Sequence, residues 1–159
     1  MHYSDYCTAY SVPKCEKIDL TSRNLTWKAL PDMKESKCGF NPCLFHEFVY
    51  LCGYKSDLVE AFAPQTESFM LLSIQLPESS YYCLYVHNNR LVVHSYNYIT
   101  QFSAEQAGQL SKHSQVRCCV RTEKWGNCQP VLDLTRSLFF IFQEDTCYCF
   151  SMETGDRVR

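Results

Sequence analysis

Glycine and clustered positive charge are both scarce in this sequence. Its 159 residues include only 5 glycines, and no Gly-x-Gly-x-x-Gly, phosphate-binding loop or Gly-x-Ser-x-Gly motif occurs. Phosphate-binding loops rely on glycines that let the backbone approach the ligand. Lysine and arginine form no long run, and the formal net charge is −2. Because nucleic acids are bound through clustered positive charge, we expect no nucleic-acid partner.

Long apolar segments are missing as well. No stretch approaches the ~20 apolar residues that span a bilayer, so we expect no membrane partner. Residues 1–6 (MHYSDY) lack the basic segment and the apolar segment of a signal peptide. These absences predict a cytoplasmic protein.

Cysteine, by contrast, is abundant. The chain has 11 cysteines, an odd number, and many lie within apolar runs such as 49–52 and 83–86. Free cysteine behaves as a small buried hydrophobic residue. Disulfide frameworks belong to oxidising compartments, so we interpret most of these residues as reduced core thiols of a cytosolic protein.

A zinc site is the alternative interpretation of some of these cysteines. Structural zinc sites use closely spaced pairs of ligands, such as Cys-x2-Cys. The plausible grouping here is His113, Cys118, Cys119 and Cys128, whose spacing matches no recognised zinc motif. The five histidines are scattered, and no signature of a cysteine nucleophile accompanies them. We therefore predict no metal site, no cofactor and no catalytic residues.

Short apolar runs dominate the chain and predict strands. They are rich in Val, Tyr, Phe, Ile and Cys and are separated by short turns such as His46-Glu47 and Asn88-Asn89. Such a pattern is typical of consecutive antiparallel hairpins. Residues 104–110 are predicted to form a helical turn, and residues 111–129 a long loop or a degenerate strand. The predicted strands are 42–45, 49–52, 58–62, 69–74, 81–86, 91–93, 98–102, 138–142 and 147–150.

The strands recur in units of similar length. Leu20, Phe62, Phe102 and Phe150 hold equivalent positions, at spacings of 42, 40 and 48 residues. A period of about 40–50 residues with four short strands per unit is typical of propeller blades. An ordinary β-sandwich with an accidental period is the alternative fold.

One unit resembles a Kelch repeat. The resemblance rests on residues 27–33 (WKALPDM), 49–53 (VYLCG), 59–62 (VEAF) and Phe69. The glycine pair of that family is reduced to Cys52-Gly53 here, and residues 94–95 and 143–144 replace it in the next units. The resemblance implies an all-β, Kelch-type β-propeller of about three to four blades, each of four antiparallel strands. We divide the single domain 1–159 into a partial blade 1–35 and blades 36–76, 77–112 and 113–159.

Closure of the propeller is left open by the sequence. The chain fits a fragment of a longer propeller, a compact four-bladed ring, or an open arc that pairs with another chain. An open arc would expose sheet faces and favour self-association. Stacked blades bury aromatic side chains between them. We therefore expect such burial for Trp27, Phe62, Phe69, Phe102, Phe139, Phe140, Phe142 and Phe150.

The resemblance implies a non-enzymatic scaffold that binds other proteins through the loops between strands. Loops held on a rigid framework carry recognition, and tyrosine suits it because it offers a large contact area together with a hydroxyl. A metal-binding or galactose-oxidase-like propeller enzyme is the alternative. The predicted partner-binding residues lie in the loops between second and third strands: Tyr54, Lys55, Asp57, Tyr96 and Asn97.

Overall fold

A computed structural model describes residues 13–21, 23–35, 41–53, 56–76, 82–95, 98–117, 131–143 and 146–158. These residues contain thirteen strands and a short 3-10 helix, Gln106–Gly108, which confirms the helical turn predicted at 104–110. The strands are β1 (Glu16–Ile18), β2 (Trp27–Ala29), β3 (Asn41–Phe45), β4 (Phe48–Cys52), β5 (Leu58–Ala63), β6 (Ser68–Gln75), β7 (Tyr82–His87), β8 (Arg90–Ser95), β9 (Tyr98–Ala104), β10 (Leu110–Arg117), β11 (Val131–Asp133), β12 (Leu138–Gln143) and β13 (Thr146–Ser151).

The strands form four separate antiparallel sheets. A two-stranded hairpin, β1–β2, comes first, and sheet A (β3–β6) and sheet B (β7–β10) follow with four strands each. Sheet C contains β11, β12 and β13. Within every sheet the strands are ordered as they are in the chain. The prediction of an all-β chain built from consecutive antiparallel strands is therefore confirmed.

Tight turns close the first hairpins of sheets A and B. Asn88 and Asn89 join β7 to β8 with φ angles of 49° and 55°. A two-residue type I′ turn needs left-handed φ at both central positions, and asparagine tolerates that conformation better than most residues. His46, at φ 53°, starts the equivalent turn of sheet A. Both turns lie where the sequence places them.

Sheet B is covered on both faces. Leu91, Val92 and Val93 are consecutive in β8, and each is at most 1% exposed. Successive side chains of a strand point to opposite faces, so the two faces of β8 are packed separately. Leu91 and Val93 belong to a cluster that contains Tyr50 of sheet A. Val92 belongs to another cluster, which contains Phe139 of sheet C. Sheet B therefore lies between sheets A and C.

The other face of sheet A contacts the N-terminal segment. Met33, which follows the hairpin, packs with Leu51 and Phe69 in a third cluster, and Cys15 packs against it. Sheets A, B and C are thus stacked in chain order, and a third apolar cluster joins sheet A to the segments that flank the hairpin. Burial of such clusters is the main favourable term in folding.

A buried carboxylate strengthens the joint between the N-terminal segment and sheet A. Glu60 is fully buried, and its side chain accepts hydrogen bonds from the backbone N–H groups of Lys34 (3.2 Å) and Glu35 (2.7 Å). A buried polar group without hydrogen bonds is costly, so these bonds stabilise the buried side chain. Lys17 and Lys28 of the hairpin also donate to the Glu67 carboxylate in the β5–β6 turn. The N-terminal segment is therefore fixed to sheet A by polar contacts as well as by packing.

Acid should weaken the joint between sheets B and C, because His94 is buried there. It is 2% exposed, and its ring lies edge-on to Phe139 at 4.6 Å between centroids. Burial lowers the pKa of His94 from 6.5 to about 4. The unfolded chain binds a proton between these two values and the folded chain does not. Stability is therefore complete above pH 6.5 and falls by up to about 3 kcal/mol as the pH drops towards 4.

Urea unfolding of wild type and His94→Gln across this pH range measures the effect. Between pH 6.5 and 4, the difference between their free energies of unfolding should change by ~1.4 kcal/mol per pH unit, the slope expected when unfolding takes up one proton. His113→Gln is the control, since it makes the same replacement at a histidine that is exposed on β10. Identical pH profiles of wild type and His94→Gln would contradict the prediction.

The expected burial of aromatic residues is correct for the central sheets and wrong for the hairpin. Phe69, Phe102, Phe139 and Phe150 are at most 8% exposed. Phe62 and Phe140 are half-buried, and the side chain of Phe142 lies outside the described residues. Trp27 is 66% exposed. It lies on the two-stranded sheet, whose strand β2 is exposed along its length.

The strand β10 continues beyond residue 112, the predicted end of a blade, and pairs with β9 as far as Arg117. Residues 111–115 (SKHSQ) are polar and at least partly exposed, because β10 is the edge strand of sheet B. An exposed edge strand shows little apolar alternation, so the sequence gives a weak strand signal there.

Candidate functional site

Most of the predicted loop site cannot be placed. Tyr54, Lys55, Tyr96 and Asn97 lie outside the described residues. Asp57 is described and is half-buried just before β5. Its backbone carbonyl accepts a hydrogen bond from the N–H of Leu76 at 3.0 Å, and its carboxylate accepts one from the Gln75 side chain at 3.5 Å. Asp57 thus joins the start of β5 to the end of β6.

A groove lies at the opposite end of sheets A and B. It has a volume of about 800 Å³ and is formed by the β3–β4 turn, the β7–β8 turn and the connection between β9 and β10. Ligand pockets are usually about 300–1,000 Å³, so it has room for a small molecule or a short peptide segment. It is lined by His46, Glu47, Phe48, Tyr50, Asn88, Asn89, Arg90, Ser103, Ala104, Glu105, Gln106 and Ala107.

The floor of the groove is aromatic and fixed. Tyr50 is fully buried, and its hydroxyl donates a hydrogen bond to the backbone carbonyl of Gly108 at 3.0 Å. Burial raises the pKa of Tyr50, so the phenol stays protonated and remains a donor at neutral pH. The ring of Phe48 is tilted against that of Tyr50, 6.4 Å away between centroids. The floor therefore links sheet A directly to the β9–β10 connection of sheet B.

Glycine is required where that connection crosses the floor. Gly108 has φ +76°, and a β-carbon placed there would lie 2.7–2.9 Å from three ring atoms of Phe48. Ala107 next to it is also left-handed, at φ 55°. Left-handed backbone is unfavourable for residues that carry a β-carbon. The connection is thus held in one tight conformation by its contact with Phe48 and Tyr50.

The rim of the groove is polar, with exposed acidic side chains. Glu47 and Glu105 are exposed on the sheet A and sheet B sides of the rim, respectively. Arg90 is half-buried, and its guanidinium donates a hydrogen bond to the side chain of Gln101 at 3.0 Å. Asn88 and Asn89 add amide groups at the tip of the β7–β8 turn. This arrangement can hold an apolar side chain on the floor and hydrogen-bond or pair with polar groups at the rim.

Metal binding finds no support in the part of the chain that the structure describes. Those residues contain no group of three or more His, Cys, Asp or Glu side chains that could hold a metal ion. Of the grouping considered for zinc, only His113 is described, and Cys118, Cys119 and Cys128 lie outside the described residues. Nor is any helix of the described residues long and apolar enough to cross a membrane.

The described cysteines are free thiols: Cys15, Cys43, Cys52, Cys83, Cys147 and Cys149. Burial raises the pKa of Cys43, and burial together with the nearby Cys43 raises that of Cys83 to about 11. The thiolate is the nucleophilic and metal-binding form, so these two residues are unreactive at neutral pH. They act as packing residues on the first strands of sheets A and B.

The groove was not identified from the sequence, although its parts were. His46-Glu47 and Asn88-Asn89 are readily predicted as turns in equivalent positions of two successive units. Equivalent turns of stacked sheets lie at the same end of the stack. This equivalence of the two turns is the sequence signal that could have indicated the groove. The contribution of residues 103–107 depends on the packing of the β9–β10 connection and has no sequence signature.

Comparison with known proteins identifies the fold only. No family model matches the chain, and no curated protein does. Among solved structures, the chain is similar to one described as "Structure of YjhT", with a TM-score of 0.64 and 11% sequence identity. The match covers 92% of this chain and 59% of that one, so the chain spans less than two thirds of its structural neighbour. The chain shares an all-β architecture of antiparallel sheets with this protein.

Proposed function

We propose that the chain is a Kelch-type β-propeller module that binds other proteins without catalysing a reaction. Two observations support the propeller. Sheets A and B are four-stranded meanders of consecutive strands, which is the composition of a blade. Sheet B packs against another sheet on each face, as an inner blade does, whereas each sheet of a two-layer sandwich has one packed face.

The groove between sheets A and B is the proposed binding site, and its geometry is the main observation in favour of the binding function. Its rim consists of tight turns held by two packed sheets, and its floor is pinned by the Tyr50–Gly108 hydrogen bond. Binding residues are commonly found on loops that a rigid scaffold positions. A preformed site also loses less conformational entropy when its ligand binds.

The chemistry of the rim indicates the class of partner. The lining contains the two carboxylates of Glu47 and Glu105, both exposed, and the one guanidinium of Arg90. The groove therefore has a small excess of negative charge around an aromatic floor. Such a surface is complementary to a peptide segment in which an apolar side chain is flanked by lysine or arginine. A reducing compartment such as the cytoplasm accords with the six free thiols of the described residues.

Binding of labelled synthetic peptides, measured by fluorescence anisotropy, tests the proposal. Peptides with an apolar residue between lysines should bind, and matched peptides with glutamate in place of lysine should not. The double variant Glu47→Lys/Glu105→Lys should weaken binding by about tenfold or more, because it reverses the charge of the rim. The control is Glu153→Lys, an exposed residue of the turn after β13.

The same assay distinguishes the groove from the loops predicted by the sequence. Failure of every lysine-flanked peptide to bind would overturn the proposal. Equal affinity of wild type and the double variant would also overturn it. Loss of binding in Tyr54→Ala/Tyr96→Ala with no loss in the groove variant would instead assign the site to the loops between second and third strands.

A further inference from the structure

Polar side chains meet where sheets B and C pack together, at the same end of the fold as the groove. His87 ends β7 and Arg90 begins β8, and the two pair directly across the β7–β8 turn. Residues that pair in this way have neighbouring side chains on one face of the sheet. The Nε2 atom of His87, a residue only 7% exposed, lies 3.0 Å from the hydroxyl of Ser137 in sheet C. We call His87, Arg90 and Ser137 the joint cluster.

Arg90 lies where the groove meets this joint. It contributes to the lining of the groove. Val92, two residues later in β8, points to the same face as Arg90 and packs in a cluster with Phe139 of sheet C. The guanidinium of Arg90 donates a hydrogen bond to Gln101, which pairs with Val92 and shares that face. The charge of Arg90 is therefore placed towards sheet C, at the edge of the groove.

Arg90 differs from the other cations of the described residues. It is half-buried, whereas every other lysine and arginine in that part of the chain is exposed. Its hydrogen-bond acceptor Gln101 is neutral, and no carboxylate of the described residues pairs with it. Exposed cations elsewhere do have such partners: Lys17 and Lys28 pair with Glu67, and Arg136 pairs with Asp133. Burial of a charge without a counter-charge is unfavourable, so Arg90 is suited to an anionic group from another molecule.

The turns that present the joint cluster are fixed. Asn88 and Asn89 have left-handed φ angles of 49° and 55°, and Ser137 has φ 54°. The backbone carbonyl of Ser137 accepts a hydrogen bond from the N–H of Met152 at 2.8 Å, and its side chain contacts His87. A site held in this way loses little conformational entropy when a ligand binds.

The chemistry of the joint cluster fits a carboxylate. A guanidinium offers paired N–H donors to the two oxygens of a carboxylate, and a serine hydroxyl can supply another donor. The exposed carboxylates of the groove, Glu47 and Glu105, belong to other connections of the same end of the fold. This end therefore carries both signs of charge on separate elements.

We propose that the joint cluster is a subsite for an aspartate or glutamate side chain of the same peptide segment that occupies the groove. The proposal rests on the function proposed for the groove and specifies its partner further. The segment then carries an apolar residue for the aromatic floor, lysine or arginine for Glu47 and Glu105, and a nearby carboxylate for Arg90. Such a charge pattern also sets the direction in which the segment lies.

Paired peptides measure the contribution of the carboxylate by fluorescence anisotropy. Each pair has an apolar residue between lysines, with glutamate added in one peptide and glutamine at the same place in the other. Because an extended chain advances ~3.3 Å per residue, spacings of about two to five residues from the apolar residue, on either side, cover the surroundings of the groove. For at least one spacing, wild type should bind the glutamate peptide about tenfold more tightly. This ratio of affinities is the glutamate gain.

Variants of the joint cluster test whether Arg90 is the origin of the glutamate gain. Arg90→Gln should abolish the gain, and Arg90→Glu should invert it, so that the glutamine peptide binds more tightly. Ser137→Ala should reduce the gain without inverting it. Lys112→Gln is the matched control, because it removes an exposed positive charge on β10 and should keep the gain. The gain compares two peptides on one protein sample, so a misfolded fraction does not alter it.

The outcomes separate the subsite from the groove. Binding of the lysine-flanked peptides without a glutamate gain at any spacing would overturn the subsite and leave the groove in place. A gain that persists in both Arg90 variants would overturn the subsite as well. Failure of every lysine-flanked peptide to bind would overturn the function proposed for the groove, and the subsite with it.

Discussion

Phe139→Ala should destabilise the chain by about 3–5 kcal/mol, the usual cost of removing a fully buried phenylalanine side chain. Phe139 has no exposed surface and lies at the joint between sheets B and C. Its ring stacks on Phe150 at 5.0 Å between centroids, and His94 meets it edge-on at 4.6 Å. Alanine would leave a cavity beside the rings of Phe150 and His94. The lost contacts would also separate sheet C from the rest of the stack.

Phe140→Ala is the matched control, because Phe140 is the next residue of β12 and points to the opposite face. It is half-buried, so the loss should be about 1–2 kcal/mol. Urea unfolding of both variants beside wild type measures the two losses. Equal losses for the two variants would show that sheet B does not cover the Phe139 face.

Alternation within strands made much of the fold predictable. In β8 the run Leu91-Val92-Val93 predicts a strand, and the Asn88-Asn89 pair predicts the turn before it. These signals are local, because a side-chain period and a turn preference depend only on neighbouring residues. They also set the limits of sheet A well, since its strands contain buried residues and its connections contain turn residues.

Packing between sheets was less predictable. An aromatic residue in a strand indicates an apolar face, but it does not indicate whether another sheet covers that face. Phe139 and Trp27 give the same signal in the sequence, yet Phe139 is fully buried and Trp27 is 66% exposed. The difference arises because sheet B covers the face of β12 that carries Phe139, whereas β2 is exposed along its length. The edge strand β10 lies in a segment predicted as a long loop or a degenerate strand, because its polar side chains reflect exposure and not the hydrogen bonding of its backbone.

The candidate site was predictable only in its separate parts. Glu47, Asn89 and Glu105 belong to three connections that come together because sheets A and B pack face to face. No local pattern encodes that approach. The sequence instead favoured tyrosines in the loops at the other end of the strands, because tyrosine is common in binding surfaces. The decisive signal is structural, namely that the β9–β10 connection crosses the aromatic floor at Gly108.

Gly108→Ala should destabilise the chain by about 2–5 kcal/mol, from two separate causes. Left-handed backbone costs a residue with a β-carbon about 1–2 kcal/mol, and Gly108 has φ +76°. Overpacking costs about 1–3 kcal/mol more, because the new methyl group would lie 2.7–2.9 Å from the Phe48 ring. The displaced connection should also weaken the hydrogen bond from Tyr50 to the Gly108 carbonyl. Urea unfolding measures the loss.

A double-mutant cycle separates the two causes. In a Phe48→Ala background the ring is absent, so Gly108→Ala should cost only the backbone term of about 1–2 kcal/mol. The difference between the two backgrounds measures the contact between Phe48 and the connection. An equal cost in the two backgrounds would mean that Phe48 does not pack on Gly108. It would then contradict the description of the groove floor as fixed by this contact. A smaller cost without the ring would show that one glycine lets sheet B close over the aromatic floor of sheet A.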